Sequence, residues 1–212
     1  LSAEQLKQVC TAMSASEISR IHPDAAVEDG AQLAADVTVW DGARVRAGAT
    51  VGSGTRIGRN AFIDAGVRIG SHCKLQNNCL VYAPASIGDG VFVGPAVILT
   101  NDRYPRAVAP DGSSIGPGDW HTQPVTIHDG ASIGAGAVLV AGVTIGRWAM
   151  VAAGSTVTRS VAAHELVGGV PARHLGWVGR AGVRLEQAGS RWCCPATSEE
   201  YARQADGLAL SP

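Results

Sequence analysis

The chain of 212 residues has little of what many functions require. With two Phe and three Tyr, its core must be filled by aliphatic and small side chains. No C-x-x-C pair occurs, which speaks against a structural zinc site. Five cysteines, an odd number, do not make a disulfide framework in a chain of this size. No apolar run approaches the ~20 residues that cross a bilayer. The formal net charge of −1 supplies no global basic field to gather nucleic acid or an anionic membrane. The opening stretch LSAEQLKQVCTAMSASE has no basic region followed by a continuous apolar one. It does not read as a signal peptide, and the expected compartment is the cytoplasm.

Glycine, by contrast, is abundant at 27 residues. It follows no G-X-Y period, which excludes collagen, and the apolar content is too high for a disordered linker. The dominant pattern is a branched aliphatic residue at every sixth position. Ile21, Val27, Leu33, Val39, Val45, Val51, Ile57, Ile63, Ile69, Leu75, Val81, Ile87, Val93 and Leu99 hold the register without a break. It resumes at Ile127, Ile133, Leu139, Ile145, Val151 and Val157. The residue two before is mostly compact, as in Ala43, Ala61, Cys73 and Cys79, and Gly often follows, as in Gly52, Gly58 and Gly94.

Helices repeat near 3.6 residues and strands at 2, so neither alone has this period. A short strand followed by a sharp corner does. Each hexad sends one aliphatic side chain inward, and Gly, Asn and Asp tolerate positive φ at the corners. Three hexads close a triangular coil of 18 residues, and coils stack at about 4.8 Å. Residues 18 apart should then form interior columns, and Asn60 and Asn78 should stack at a corner.

Outside the hexads, Leu6, Val9, Cys10 and Met13 make a helical stripe within residues 1–20. The long interruption TNDRYPRAVAPDGSSIGPGDWHTQP (100–124) carries Asn101, Asp102, Arg103, Tyr104, Arg106, Trp120 and His121. Loops of this length inside compact domains are usually functional or disordered, and this density of polar and aromatic groups favours function. The chain thus divides into a helical extension (1–20), a β-helix with the loop inserted (21–161) and a segment without hexads (162–212) that should cover the open end of the prism. A prism filled with Val and Ile has no internal pocket. Any site lies outside it, against the loop and a neighbouring subunit.

The uninterrupted L/I/V-G-x-x-small-x tandem resembles the hexapeptide-repeat acyltransferases, which are left-handed parallel β-helices. The resemblance supplies the hand, since general crossover rules would favour the right hand. The expected fold is all-β, a left-handed parallel β-helix with a protruding loop and short helical or irregular terminal segments. The segments KLQNNCLVYAPASIGDGVFVGPAVILTNDRYPR (74–106), GGVPARHLGW (168–177) and CPATSEEYARQADGLAL (194–210) are similar to bacterial N-acetyltransferases acting on the 3-amino group of UDP- or dTDP-linked sugars. That family implies acetyl-CoA as acyl donor, a nucleotide-linked amino sugar as acceptor, and homotrimers with sites between subunits. Neither nucleic acid nor a membrane is an expected partner, and no metal is expected.

In that family the Asn of the T-N element holds the sugar amine, and the match is Asn101. Relatives acting on hydroxyls carry a catalytic His at the start of the equivalent loop instead. An amine with a pKa near ~8 is already partly neutral and needs orientation more than deprotonation, whereas a hydroxyl needs a base. Gln76, Asn78, Tyr82, Arg103 and Tyr104 are the candidate acceptor-binding residues, the arginine because guanidinium pairs with phosphate. Ala135, Ala141 and Ala153, small residues of the later coils, and Arg173 of V-P-A-R match positions that meet CoA, with Arg147 and Arg159 behind them. The tail departs from the family: the Gly usual after its C-P element is missing from CPATSEEY.

Three alternatives stand beside this one. O-acetyl transfer would need a base, for which His121 is the candidate. A zinc hydratase on the same prism would need three histidines, two closely spaced, and no pair has that spacing. A non-catalytic scaffold would need neither the loop nor Asn101.

Overall fold

The computed structural model describes residues 19–116, 118–119 and 121–211. The expected helical stripe from Leu6 to Met13, and Trp120, lie outside these, and Arg20 already belongs to the first strand. From Arg20 to Val157 the chain is a run of two-residue strands, one per hexad, in parallel register. Thr38 and Val39 pair with Arg56 and Ile57, and these with Lys74 and Leu75, so each strand lies one 18-residue coil from its partner. In every such pair the first residue points outward and the second inward, because the side chains alternate across the pleat.

Three parallel sheets result. The first carries the column Ile21, Val39, Ile57, Leu75, Val93, Ile133 and Val151. The second carries Val27, Val45, Ile63, Val81, Leu99, Leu139 and Val157. The third carries Leu33, Val51, Ile69, Ile87, Ile127 and Ile145. From Val39 onward these side chains are almost completely buried. The compact residues two positions earlier, such as Ala43, Ala61, Cys73 and Cys79, are buried beneath the corners. Burial raises the Cys79 thiol to about 12. The four described cysteines, Cys73, Cys79, Cys193 and Cys194, are all free.

The corners explain the recurring Gly and Asn. Asn60 and Asn78 sit at φ 54° and 61°. The Asn60 amide donates to Asn78 Oδ1 at 3.3 Å, the expected ladder. A Cβ on Gly94 would stand 2.7 Å from the Ala135 nitrogen one coil on, which is why Gly follows the inward aliphatic residue there. One buried hydroxyl also serves the stacking: Thr55 donates to the Gly70 carbonyl at 2.9 Å and accepts from the Cys73 N–H at 3.0 Å.

At the loop the pairing offset rises from 18 to 40 (Ser86 with Thr126), so 22 residues are inserted without disturbing the stack. After Val157 the chain is built of strands, where helical or irregular structure was expected. Glu165–Gly169 and Ala172–Trp177 form an antiparallel hairpin that continues the first sheet. Glu186–Ala188, Arg191–Cys193, Glu200–Gln204 and Gly207–Leu210 form a separate antiparallel sheet around Leu185, Cys194, Tyr201 and Leu208. Pairing accounts for the hairpin: it supplies the partner that the last strand of the first sheet, Met150–Val151, would otherwise lack. The Ala163 N–H donates to the Asp206 carbonyl at 2.8 Å, and the Leu208 N–H to the Ala163 carbonyl at 3.1 Å. Beside this sheet Tyr201 donates to Glu199 at 2.7 Å, and Arg180 pairs with the same carboxylate, holding it down at about 2. No helix among the described residues is long and apolar enough to cross a membrane.

Candidate active site

The loop leaves the prism at the edge between the second and third sheets, directly after the strand Ile98–Leu99. Its two ends are tied together, since the Gln123 N–H donates to the Asn101 carbonyl at 2.9 Å. Thr100 fastens the edge below: its hydroxyl donates to the Leu139 carbonyl at 3.1 Å and accepts from the Ala141 N–H at 2.9 Å.

Asn101 is half-buried. Its Nδ2 donates to the Ala83 carbonyl at 2.7 Å. A carbonyl only accepts, so the amide orientation is fixed by chemistry: NH2 toward Ala83, Oδ1 away from it. Ala83 itself is held from below, its N–H donating to Asp64 Oδ2 at 3.3 Å, while Asp64 Oδ1 takes the Ala65 N–H at 2.8 Å and Arg46 at 3.2 Å. The neighbouring Asp102 does the turn-making expected of a loop start, accepting the Tyr104 N–H at 2.9 Å. Among the described residues, no hydrogen bond is spent on Asn101 Oδ1.

Tyr82, just before Ala83, follows the second-sheet strand Leu80–Val81 into the corner, its ring 5.6 Å from that of Phe62. Arg103 reaches back across the edge and donates to the Ala141 carbonyl at 3.0 Å. Tyr104 is 80% exposed. A cleft of about 340 Å³ under the loop is lined by Asp102, Arg103, Tyr104, Arg106, Ile115, Asp119, His121 and Gln123. His121, the rival base, therefore shares the cleft with Arg103 and Tyr104.

The remaining expected residues stand elsewhere. Gln76 and Asn78 flank the edge between the first and second sheets, several residues of chain away from the loop edge. Ala135 and Ala153 are exposed at that same edge on successive coils, and Arg173 lies in the hairpin that continues the first sheet above them. Gly168 of this hairpin lies against Ala152, and the Gly169 N–H donates to Ser155 at 3.2 Å. Ala141 does not join them. It is fully buried at the loop edge, where its backbone, not its side chain, takes part. One chain thus brings Asn101, Tyr82, Arg103 and Tyr104 together at one edge and Gln76, Asn78, Ala135, Ala153 and Arg173 along another. Of the other histidines, His164 is buried, its ring nitrogen 2.9 Å from the Val178 carbonyl, and burial lowers its pKa. His174 pairs with Glu165 at 2.9 Å. Among the described residues no three His, Cys, Asp or Glu side chains are grouped to hold a metal.

Sequence reasoning missed Ala83 and Thr100. Ala83 lies 18 residues before Asn101, so the stacking rule carried the signal, but a backbone carbonyl has no side-chain chemistry to draw attention to it.

Comparison with known proteins agrees with the repeat. Residues 124–159 match the bacterial transferase hexapeptide model (six repeats), and residues 48–83 match the hexapeptide repeat of succinyl-transferase. No curated protein matches the chain. Among solved structures, WeeI from Acinetobacter baumannii is 22% identical with a TM-score of 0.51, covering 81% of this chain and 65% of its own. PerB from Caulobacter crescentus, solved with CoA and GDP-perosamine, is 26% identical with a TM-score of 0.42 over 82% and 64%. AntD, an N-acyltransferase from Bacillus cereus solved with dTDP-4-amino-4,6-dideoxyglucose and coenzyme A, is 18% identical with a TM-score of 0.46 over 85% and 91%. The chain spans under two thirds of the length of WeeI and PerB. Residues 48–83 and 124–159 thus carry the hexapeptide repeat in sequence, and the stacked parallel coils carry it in structure.

Proposed function

We propose that the chain is a CoA-dependent N-acetyltransferase that acylates an amino group, at C3 by resemblance, of a UDP- or dTDP-linked sugar. The observation that carries this reading is the Asn101 amide, pinned through Nδ2 to the Ala83 carbonyl so that Oδ1 accepts. An acceptor without a base suits an amine: Oδ1 takes one N–H and aims the nitrogen lone pair at the thioester carbonyl carbon. The C–N bond forms, the tetrahedral intermediate collapses, the C–S bond breaks, and the thiolate leaves with the surplus proton. The transferase repeat and the T-N-D-x-Y-P-R loop support the same reading.

Arg103 and Tyr104 would grip the acceptor beside Asn101, with Tyr82 below them. Ala135 and Ala153 would admit the pantetheine arm along the other edge, with Arg173 toward its phosphates. Because these two groups lie on different edges of one chain, the complete site takes one from each of two subunits, in a homotrimer. The outer face of the second sheet supports association: Phe62, Leu80, Ile98 and Val138 form a half-buried apolar row in register.

The test is thiol release from acetyl-CoA with a panel of UDP- and dTDP-linked 3-amino and 4-amino sugars. Asn101→Ala should lower the rate about 100-fold by misplacing the amine, and His121→Ala should leave most of it. His121 on the loop cleft supports the second reading, O-acetyl transfer, for which the two variants would exchange places. A protein that binds no CoA thioester would be a scaffold.

A further inference from the structure

The first sheet carries a feature that the loop edge does not use. Along its outer face, over the coils before the loop, two depressions of about 490 and 670 Å³ meet at Trp40 and Arg56. Trp40 is 52% exposed, more than Phe92 or Trp148 at 37% each on other coils. Arg56 and Lys74 stand directly opposite each other on neighbouring strands, both outward and exposed. Like charges at such positions repel. Among the described residues neither has a carboxylate within ion-pair reach; Asp41, which lines the same groove, is taken by Arg59 at 2.9 Å. Gln76 closes the far side.

An exposed indole beside two cations with no ion-pair partner among the described residues is the complement of an aromatic base joined to phosphates. The distance agrees. From the strand of Trp40 to that of Lys74 is two strand spacings, about 9.6 Å, comparable to the reach of a nucleoside diphosphate. We propose that this groove binds a nucleoside diphosphate, the base stacked on Trp40 and the phosphates held by Arg56 and Lys74. Stacking on an indole tolerates any base, whereas guanidinium and ammonium groups require the phosphates. Which molecule supplies the nucleotide, the sugar acceptor or CoA, rests on the amino-sugar reading above; the groove itself does not.

Titration calorimetry on the full chain with UDP, dTDP, GDP, CoA and inorganic pyrophosphate tests this. At least one nucleotide should bind, and Trp40→Leu should weaken it about tenfold or more. Arg56→Gln with Lys74→Gln should weaken it to a similar degree and flatten its salt dependence. Arg68→Gln, on the third sheet, should change nothing, and melting curves should show every variant folded. Pyrophosphate should bind weakly and ignore Trp40→Leu. If the variants weaken CoA alone, the nucleotide is that of the acyl donor; if they weaken UDP, dTDP or GDP, it is that of the acceptor. Absence of nucleotide binding, or equal binding by wild type and Trp40→Leu, overturns the assignment. Nucleotide binding that needs Trp40 without turnover of any amino sugar keeps the groove and removes the amino-sugar reading. Turnover with unchanged KM for both substrates in Trp40→Leu removes the groove and keeps that reading.

Discussion

Two edges of the same prism follow one construction rule and part at a single point. Between the first and second sheets every coil turns in the same few residues, with Asn60 bonded to Asn78 and Gly94 under Ala135. Between the second and third sheets the same rule holds up to Ala83, and then Thr100 and Asn101 stand where the next corner would be and 22 residues leave the surface. The unbroken edge meets its backbone needs through the neighbouring coil. The interrupted edge substitutes side chains: a threonine hydroxyl for the buried Ala141 N–H and an asparagine amide for the Ala83 carbonyl. A polar side chain held this way has a fixed direction, and a fixed acceptor at the surface is what chemistry needs. Regularity is for stability; the departure from it is where function can be placed.

The largest effect should come at the interrupted edge. Asn101→Ala is expected to lower acyl transfer about 100-fold while moving the melting temperature little, because only one partly buried hydrogen bond is lost. A large loss of stability instead would make Asn101 a structural clamp. Thr100→Val should invert that balance. It leaves the buried Ala141 N–H without its partner and should cost about 1–3 kcal/mol, read by denaturant unfolding.

At the unbroken edge Gly94→Ala drives a Cβ to 2.7 Å from the Ala135 nitrogen. The neighbouring backbone must give, at about 1–3 kcal/mol. If it proves neutral, the coils are looser than they look and the contrast between the edges weakens. The smallest effect belongs to the corner ladder. Asn78→Ala places an ordinary side chain at φ 61° and removes the Asn60 contact, for about 1 kcal/mol. Asn78→Gly should lose less, since glycine accepts the backbone angle.

The hexads made the three columns legible in advance, along with their stacking by 18 and the Asn ladder. Each depends on a period that local residue identity sets. Asn101 was legible by motif. The Ala83 carbonyl that takes its amide carries no side chain to read. Ala141 shows the opposite failure: a small residue in a later coil looked like groove lining but is buried, because its place in the coil aims it inward. The C-terminal strands were missed because residues 162–212 lack the period, and their form answers the pairing needs of the last coil, not their own pattern.

The sequence alone determined the inward column, the glycine and asparagine corners, the site of the interruption and the identity of its polar residues. Each is fixed by side-chain size and backbone preference within a hexad or two. Only the tertiary structure decided which groups meet. It bound Asn101 to Ala83, set Gln76, Asn78, Ala135, Ala153 and Arg173 on an edge apart from Arg103 and Tyr104, and laid Trp40 beside Arg56 and Lys74. Those meetings depend on how coils stack at a spacing of one strand, and stacking is satisfied by pairing between distant residues that no local stretch of chain contains.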